Sequence, residues 1–164
     1  MKKQITSFKN AIKGVLSTIK SEPHMRFHIA SAFYVLVFAP FYGFTADQYA
    51  LLLVLIAMVL AAEILNTSIE QLCDFVADRY DRRIKAIKNA AAGVVLVIAL
   101  AAFAVGIIFY LKIKVIKRII VFFICNPILL LLFVLSLVFF VIFVWKGPVG
   151  IKACILRIFK RKKL

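Results

Sequence analysis

A chain of 164 residues with 65% hydrophobic and 18% charged side chains is too apolar for a soluble globular domain, where about half the residues are apolar. It reads as one small all-α polytopic membrane protein. Its 22 Lys and Arg against 7 Asp and Glu leave a net charge of +15, but the basic residues flank apolar runs, which points to anionic lipid headgroups and away from nucleic acid.

Residues 1–20 predict an amphipathic surface helix. Ile5, Phe8, Ile12, Val15, Leu16 and Ile19 share one arc, with Lys2, Lys3, Lys9, Lys13 and Lys20 opposite. The segment lacks the compact apolar core of a signal peptide. Ser21-Glu22-Pro23 marks a helix start, since proline suits the first turn and an acidic residue suits the positive end of the helix dipole. Phe27 to Phe44 is uncharged and long enough to cross, so Glu22 lies at the membrane boundary on the side of the N-terminus.

A turn at Gly43 leads into a second span, Gln48 to Asp74, uncharged as far as Ala62. Its last third, Glu63 to Asp74, reads E-I-L-N-T-S-I-E-Q-L-C-D. A helix turns about 100° per residue, which puts Asn66, Thr67, Glu70 and Asp74 within about 60° of Glu63. Ile64, Leu65, Ile69 and Leu72 fall on the opposite side. Carboxylates, an amide and a hydroxyl on one stripe of a membrane helix are costly unless used. The stripe is the candidate site.

Phe75 to Lys88 reads as a polar loop containing Asp78, Arg79, Asp81, Arg82, Arg83 and Lys85. Asn89 to Leu111 is a third span, with Gly93 and Gly106 for close helix packing. Lys112 to Arg118 is a basic connector, and Ile119 to Trp145 a fourth apolar run interrupted only by Asn126-Pro127. The tail from Lys146 is again amphipathic, with Ile151, Cys154, Ile155 and Ile158 at helical spacing before Lys160-Arg161-Lys162-Lys163. Tyr42, Tyr110 and Trp145 fall where aromatic anchors belong. Cys73, Cys125 and Cys154 form no CxxC pair and read as free thiols.

The basic N-terminal segment and 75–88 stretch, with a first turn that lacks Lys and Arg, put the N-terminus and that stretch in the cytoplasm. A fourth span places the 112–118 connector outside, against the rule, and the basic tail inside, in line with it.

Glu22, the Glu63–Asp74 stripe and Lys88-Asn89 thus meet on the cytoplasmic side. Carboxylates on separate helices at one depth suit Mg²⁺, which takes hard oxygens and brings waters and substrate phosphates. A nearby Lys balances phosphate charge, and these are the parts phosphoryl transfer needs. No G-x-x-x-x-G-K-[ST] loop is present, which excludes a P-loop ATPase. Competing readings are structural ion pairs of Glu63 and Glu70 with Arg26, Lys88 or loop bases, and solvated Asp74, Asp78 and Asp81. His24 and His28 with Glu22 mimic a metal site, but no third strong ligand is near and interfacial hydrogen bonding is preferred. A small multidrug-type transporter needs a lone mid-span carboxylate, whereas Glu63 lies past mid-span and is followed by Glu70 and Asp74.

The Glu63–Asp74 run closely resembles the signature of the prokaryotic integral-membrane diacylglycerol kinase family, which includes undecaprenol kinases. Ser7-Phe8, Ala11, Gly14, Glu22, Met25-Arg26 and His28 resemble its undecaprenol-kinase branch, as does the run from Ile84 to Gly93. The resemblance covers residues 1–110. It implies a homotrimer of three-span protomers in the bacterial cytoplasmic (inner) membrane, with cytoplasmic active sites shared between chains. It also implies ATP- and Mg²⁺-dependent phosphorylation of a lipid alcohol, undecaprenol first and diacylglycerol second. By motif position Glu63 is the general base and Asn66 orders the catalytic site. Glu22 and Glu70 bind the Mg²⁺ carried by ATP, and Lys88 holds ATP phosphates. Arg79, Tyr80, Asp81 and Asn89 lie near the nucleotide, and Asp74 marks the exit of the stripe to water.

Two departures stand out. Asn89 occupies a position where the family usually has Asp, which bears on nucleotide binding. The chain also continues past Tyr110, where the family usually ends, so it divides into a lipid kinase domain, 1–111, and an extension, 112–164. Together they keep open an inactive descendant that serves as a membrane interaction protein.

Overall fold

The computed structural model describes the backbone of residues 2–77 and 79–161 and the side chains of residues 3–77 and 79–153. Asp78 and the tail side chains of Cys154, Ile155, Ile158 and Lys160 to Lys163 lie outside the described residues. Six helices follow in order: α1 (Lys2–Ser21), α2 (Pro23–Tyr42), α3 (Ala46–Val76), α4 (Arg82–Tyr110), α5 (Ile113–Cys125) and α6 (Pro127–Arg161). Four are long and apolar enough to cross a bilayer: α2, α3, α4 and, over Pro127–Ala153, α6. The chain is an integral membrane protein.

On α1, Ile5, Phe8, Ile12 and Leu16 remain exposed, as suits a helix lying in the membrane interface. α2 begins at Pro23, a turn before the uncharged run, with Glu22 as an extended N-cap (φ −100, ψ 117). It ends at Gly43 (φ 59, ψ 46), whose N–H donates to the Pro40 carbonyl. Only glycine enters that left-handed conformation without a Cβ clash. Thr45 and Gln48 then form a reciprocal capping box that starts α3.

The polar stretch at 75–88 is a loop only between Val76 and Arg82. Asp81 accepts from the Arg83 N–H at 2.6 Å and caps α4, so Arg82 to Lys88 form its first two turns. The stretch at 112–118 is not a connector. It opens α5, where Lys114, Lys117 and Arg118 share one face and Ile116, Ile119 and Phe123 the other. Proline has no N–H, so Asn126-Pro127 breaks the apolar run and α6 alone makes the fourth crossing.

α6 runs antiparallel to α2. Phe38 packs on Phe133 (ring centroids 5.6 Å), Phe33 on Phe140 (5.1 Å), and the Tyr34 and Ser136 hydroxyls bond at 3.0 Å. α3 packs on α2 and, most closely of all, on α4. At the end away from Glu63, Ala39, Phe44 and Leu52 form a core with Tyr42, Tyr49, Phe109 and Tyr110 around it. The Tyr110 hydroxyl donates there to the Val35 carbonyl at 2.6 Å. Gly93 and Gly106 do not mark close helix contacts within the chain, since a Cβ at either meets nothing within 4 Å. Trp145 is exposed near the opposite end.

Candidate active site

α3 turns its polar stripe inward. Leu65 and Leu72 are 62% and 61% exposed, while Glu63 and Thr67 are 4% and 3% exposed. In a bilayer that is the economical arrangement, since lipid solvates leucine and only the bundle solvates a carboxylate.

Glu63 Oε1 lies 3.1 Å from His28 Nε2 on α2. The Thr67 hydroxyl donates to the Glu63 backbone carbonyl at 2.9 Å, which secures the turn carrying the carboxylate. Among the described residues neither Glu63 nor Glu70 forms an ion pair with Arg26, Lys88 or a base of the α3–α4 turn. The ion-pair reading of the stripe is therefore corrected: a histidine on the facing helix holds Glu63. It also withdraws His28 from any pairing with His24, which is exposed.

One turn further, Asn66 Nδ2 donates to Glu70 Oε1 at 2.9 Å, the natural reach of positions four apart. Asn66 Oδ1 is buried and has no hydrogen-bond partner. A buried acceptor is rarely left unpaired. An amide oxygen in need of a donor beside a carboxylate is a hard-oxygen set, and it fits Mg²⁺. Glu22 sits at the start of α2, where its side chain makes no cap bond and enters neither ion pair among the described residues. Those residues gather no group of three or more His, Cys, Asp or Glu side chains able to hold a metal. Within the chain Asn66 is thus joined to Glu70.

Where α3 meets α4, Lys88 Nζ donates to Asp74 Oδ1, and Asp74 is largely in solvent. Arg79 and Tyr80 are exposed in the turn, with Lys85 Nζ 6.0 Å from the centre of the Tyr80 ring. Asp81 is occupied as the α4 cap, and Asn89 is exposed beside Lys88. The residues expected at the nucleotide therefore share the α3–α4 junction with the polar end of the stripe.

A cleft of about 750 Å³ opens between α2, α3 and α4. It starts at Phe27 and His28 and reaches Tyr110 and Leu111 between walls of Leu, Ile, Val and Ala. At about 1.5 Å per residue, its α4 wall from Leu96 to Leu111 is roughly 20 Å long, enough for an extended aliphatic chain. His28 thus joins the head of an apolar cleft to the buried carboxylate. Sequence reasoning gave His28 only an interfacial role. The visible signal was an imidazole at the start of an uncharged span, but its partner on α3 was not legible.

The profile of the prokaryotic diacylglycerol kinase family matches residues 9–110. An undecaprenol kinase of Bacillus subtilis (strain 168) is 32% identical over 105 residues, which cover 64% of this chain and 85% of that protein. A diacylglycerol kinase of Synechocystis sp. is 32% identical over 103 residues, 62% of this chain and 59% of that protein. No solved structure matches the chain. The family match contains α2, α3, α4 and every residue of the candidate site, and it stops where α5 and α6 begin.

Proposed function

The chain belongs to the prokaryotic diacylglycerol kinase family and is a lipid kinase, and from that premise we propose that it transfers the γ-phosphoryl group of Mg²⁺-bound ATP to undecaprenol in preference to diacylglycerol. The observation that carries the reading is the buried Glu63 carboxylate, held by His28 at the head of an apolar cleft. The two relatives align equally well with this chain, at 32% identity over 105 and 103 residues, so the order of acceptors rests on the resemblance of Ser7-Phe8, Gly14, Met25-Arg26 and His28 to the undecaprenol-kinase branch.

The lipid chain lies along the cleft and presents its hydroxyl beside His28. His28 holds one oxygen of Glu63 and leaves the other to take the hydroxyl proton. The alkoxide oxygen bonds to the γ-phosphorus as the bond to the β–γ bridging oxygen breaks, giving the lipid phosphate and ADP. Lys88 binds phosphate oxygens, and Asp74 keeps it aimed until the nucleotide competes for it. Arg79, Tyr80, Asp81 and Asn89 border the nucleotide. Glu70, Asn66 and Glu22 would hold Mg²⁺, whose charge offsets that of the phosphates.

In keeping with the family resemblance, the protein works as a homotrimer in which neighbouring protomers share the active sites. The working location is the bacterial inner membrane, with the site at the cytoplasmic face and basic residues on anionic lipids. Residues 1–111 form the catalytic domain and 112–164 its extension.

The test is labelled phosphate transfer by purified protein in bilayers containing Mg²⁺, ATP and a panel of lipid alcohols. The parent labels undecaprenol most and Glu63→Gln labels nothing. Failure to label either alcohol, or equal labelling by parent and variant, overturns the reading.

A further inference from the structure

Arg26 is 4% exposed yet forms no ion pair among the described residues. Its hydrogen bonds all end on backbone carbonyls: Nε donates to Val144 at 3.0 Å, and Nη1 donates to Ile19 at 3.0 Å and to Lys20 at 2.9 Å. A buried cation is costly unless something compensates it, so these carbonyls carry the compensation.

Chain chemistry explains why two of them are free. In a helix the carbonyl of residue i accepts from the N–H of residue i+4. Pro23 stands four residues after Ile19, and Pro148 four after Val144. Proline has no N–H, so each leaves one carbonyl open. The guanidinium, a rigid fork of donors, takes both. The ends of α1 and of the first part of α6 also carry the negative pole of the helix dipole. Gly147 makes the approach possible by leaving the helix at φ 63, ψ 174. A Cβ there would lie 3.1 Å from both Cζ and Nη1 of Arg26.

Glu22 lies inside this clasp. Its N–H donates to the Thr18 carbonyl at 2.8 Å, and its own carbonyl accepts from the Arg26 N–H at 3.4 Å. The guanidinium therefore closes a loop over the turn that carries Glu22 and ties that turn to α6. We propose that Arg26 is a positioning residue for Glu22, and that α6, outside the stretch matched to the family, is a working part of the kinase because it anchors that clasp. The inference rests on the kinase reading for the role of Glu22.

Full-length parent, Arg26→Gln, Gly147→Ala and Pro148→Ala are compared by amide hydrogen exchange and by lipid phosphorylation. Gly147→Ala crowds the guanidinium, whereas Pro148→Ala offers Val144 an N–H and leaves Arg26 intact, so the test survives if Arg26→Gln does not fold. The expected result is exchange at least about tenfold faster over residues 18–26, parental exchange over 50–70, and kcat lower by about tenfold or more with KM for the lipid alcohol unchanged. If the parent phosphorylates no lipid alcohol, the kinase reading fails and the exchange pattern alone decides the clasp. Parental exchange over 18–26 in Gly147→Ala and Pro148→Ala overturns the proposal, as does uniform loosening of α2, α3 and α4. Local loosening with parental kcat overturns it too, since Glu22 then needs no anchor.

Discussion

His28 on α2 and Glu63 on α3 meet at 3.1 Å, one at the head of the apolar cleft and the other buried behind it. The contact joins a hydrophobic acceptor site to a carboxylate that lipid alone would not tolerate. Glu63→Gln keeps the shape but removes the base, so kcat falls by at least about a hundredfold. His28→Ala leaves the carboxylate without its support and lowers kcat less, by about tenfold. Initial rates at saturating lipid and ATP check both, and equal losses would contradict these assignments.

Asn66 holds Glu70 through Nδ2 at 2.9 Å and keeps an unpartnered Oδ1 buried beside it. Asn66→Ala removes both, and the Mg²⁺ concentration for half-maximal rate rises by about tenfold or more. A chelator stops turnover of the parent, and added Mg²⁺ restores it. A rate for Asn66→Ala that follows the parental Mg²⁺ curve counts against the assignment.

Lys88 and Asp74 pair in solvent, where an ion pair adds little to stability. Neither Lys88→Ala nor Asp74→Asn therefore moves the melting temperature in detergent. Lys88→Ala raises KM for ATP by about tenfold or more, because a phosphate contact is lost, while Asp74→Asn changes it little. A melting shift without a change in KM would assign the pair to structure.

Ala99 and Ala102 line the cleft where a larger side chain would fill it. Ala102→Phe raises KM for undecaprenol several-fold and leaves kcat and KM for ATP near parental values, the pattern of lost uniform binding. A short-chain alcohol suffers less. If all acceptors suffer alike, the chain does not lie in this cleft.

Tyr110 bonds the Val35 carbonyl at 2.6 Å at the end of the bundle away from Glu63. Tyr110→Phe costs about 1 kcal/mol, the scale of hydrogen bonds between membrane helices. Unfolding in mixed micelles measures it, and kcat stays parental because Glu63 and the reacting groups lie at the other end, although Tyr110 itself borders the far end of the cleft.

Composition and periodicity made much of this protein legible. Uncharged runs marked the spans, Glu22-Pro23 the start of α2, and the spacing from Glu63 to Asp74 one polar stripe. Sequence failed where two rules competed at short range. The 75–88 stretch looked like a loop because it is charged, but charge does not oppose helix once Asp81 supplies a cap. The 112–118 stretch looked like a connector for the same reason. Gly93 and Gly106 suggested close packing, yet a Cβ at either would meet nothing within 4 Å, and Gly106 lines the cleft.

By itself the sequence determined which residues are polar inside apolar helices, and hence where a site must be, because a bilayer penalises each of them locally. It could not determine their partners. His28 for Glu63, and the Ile19, Lys20 and Val144 carbonyls for Arg26, are set by which helix faces meet. Tertiary structure decided those, since proline leaves a carbonyl open wherever it stands but only packing brings a guanidinium to it.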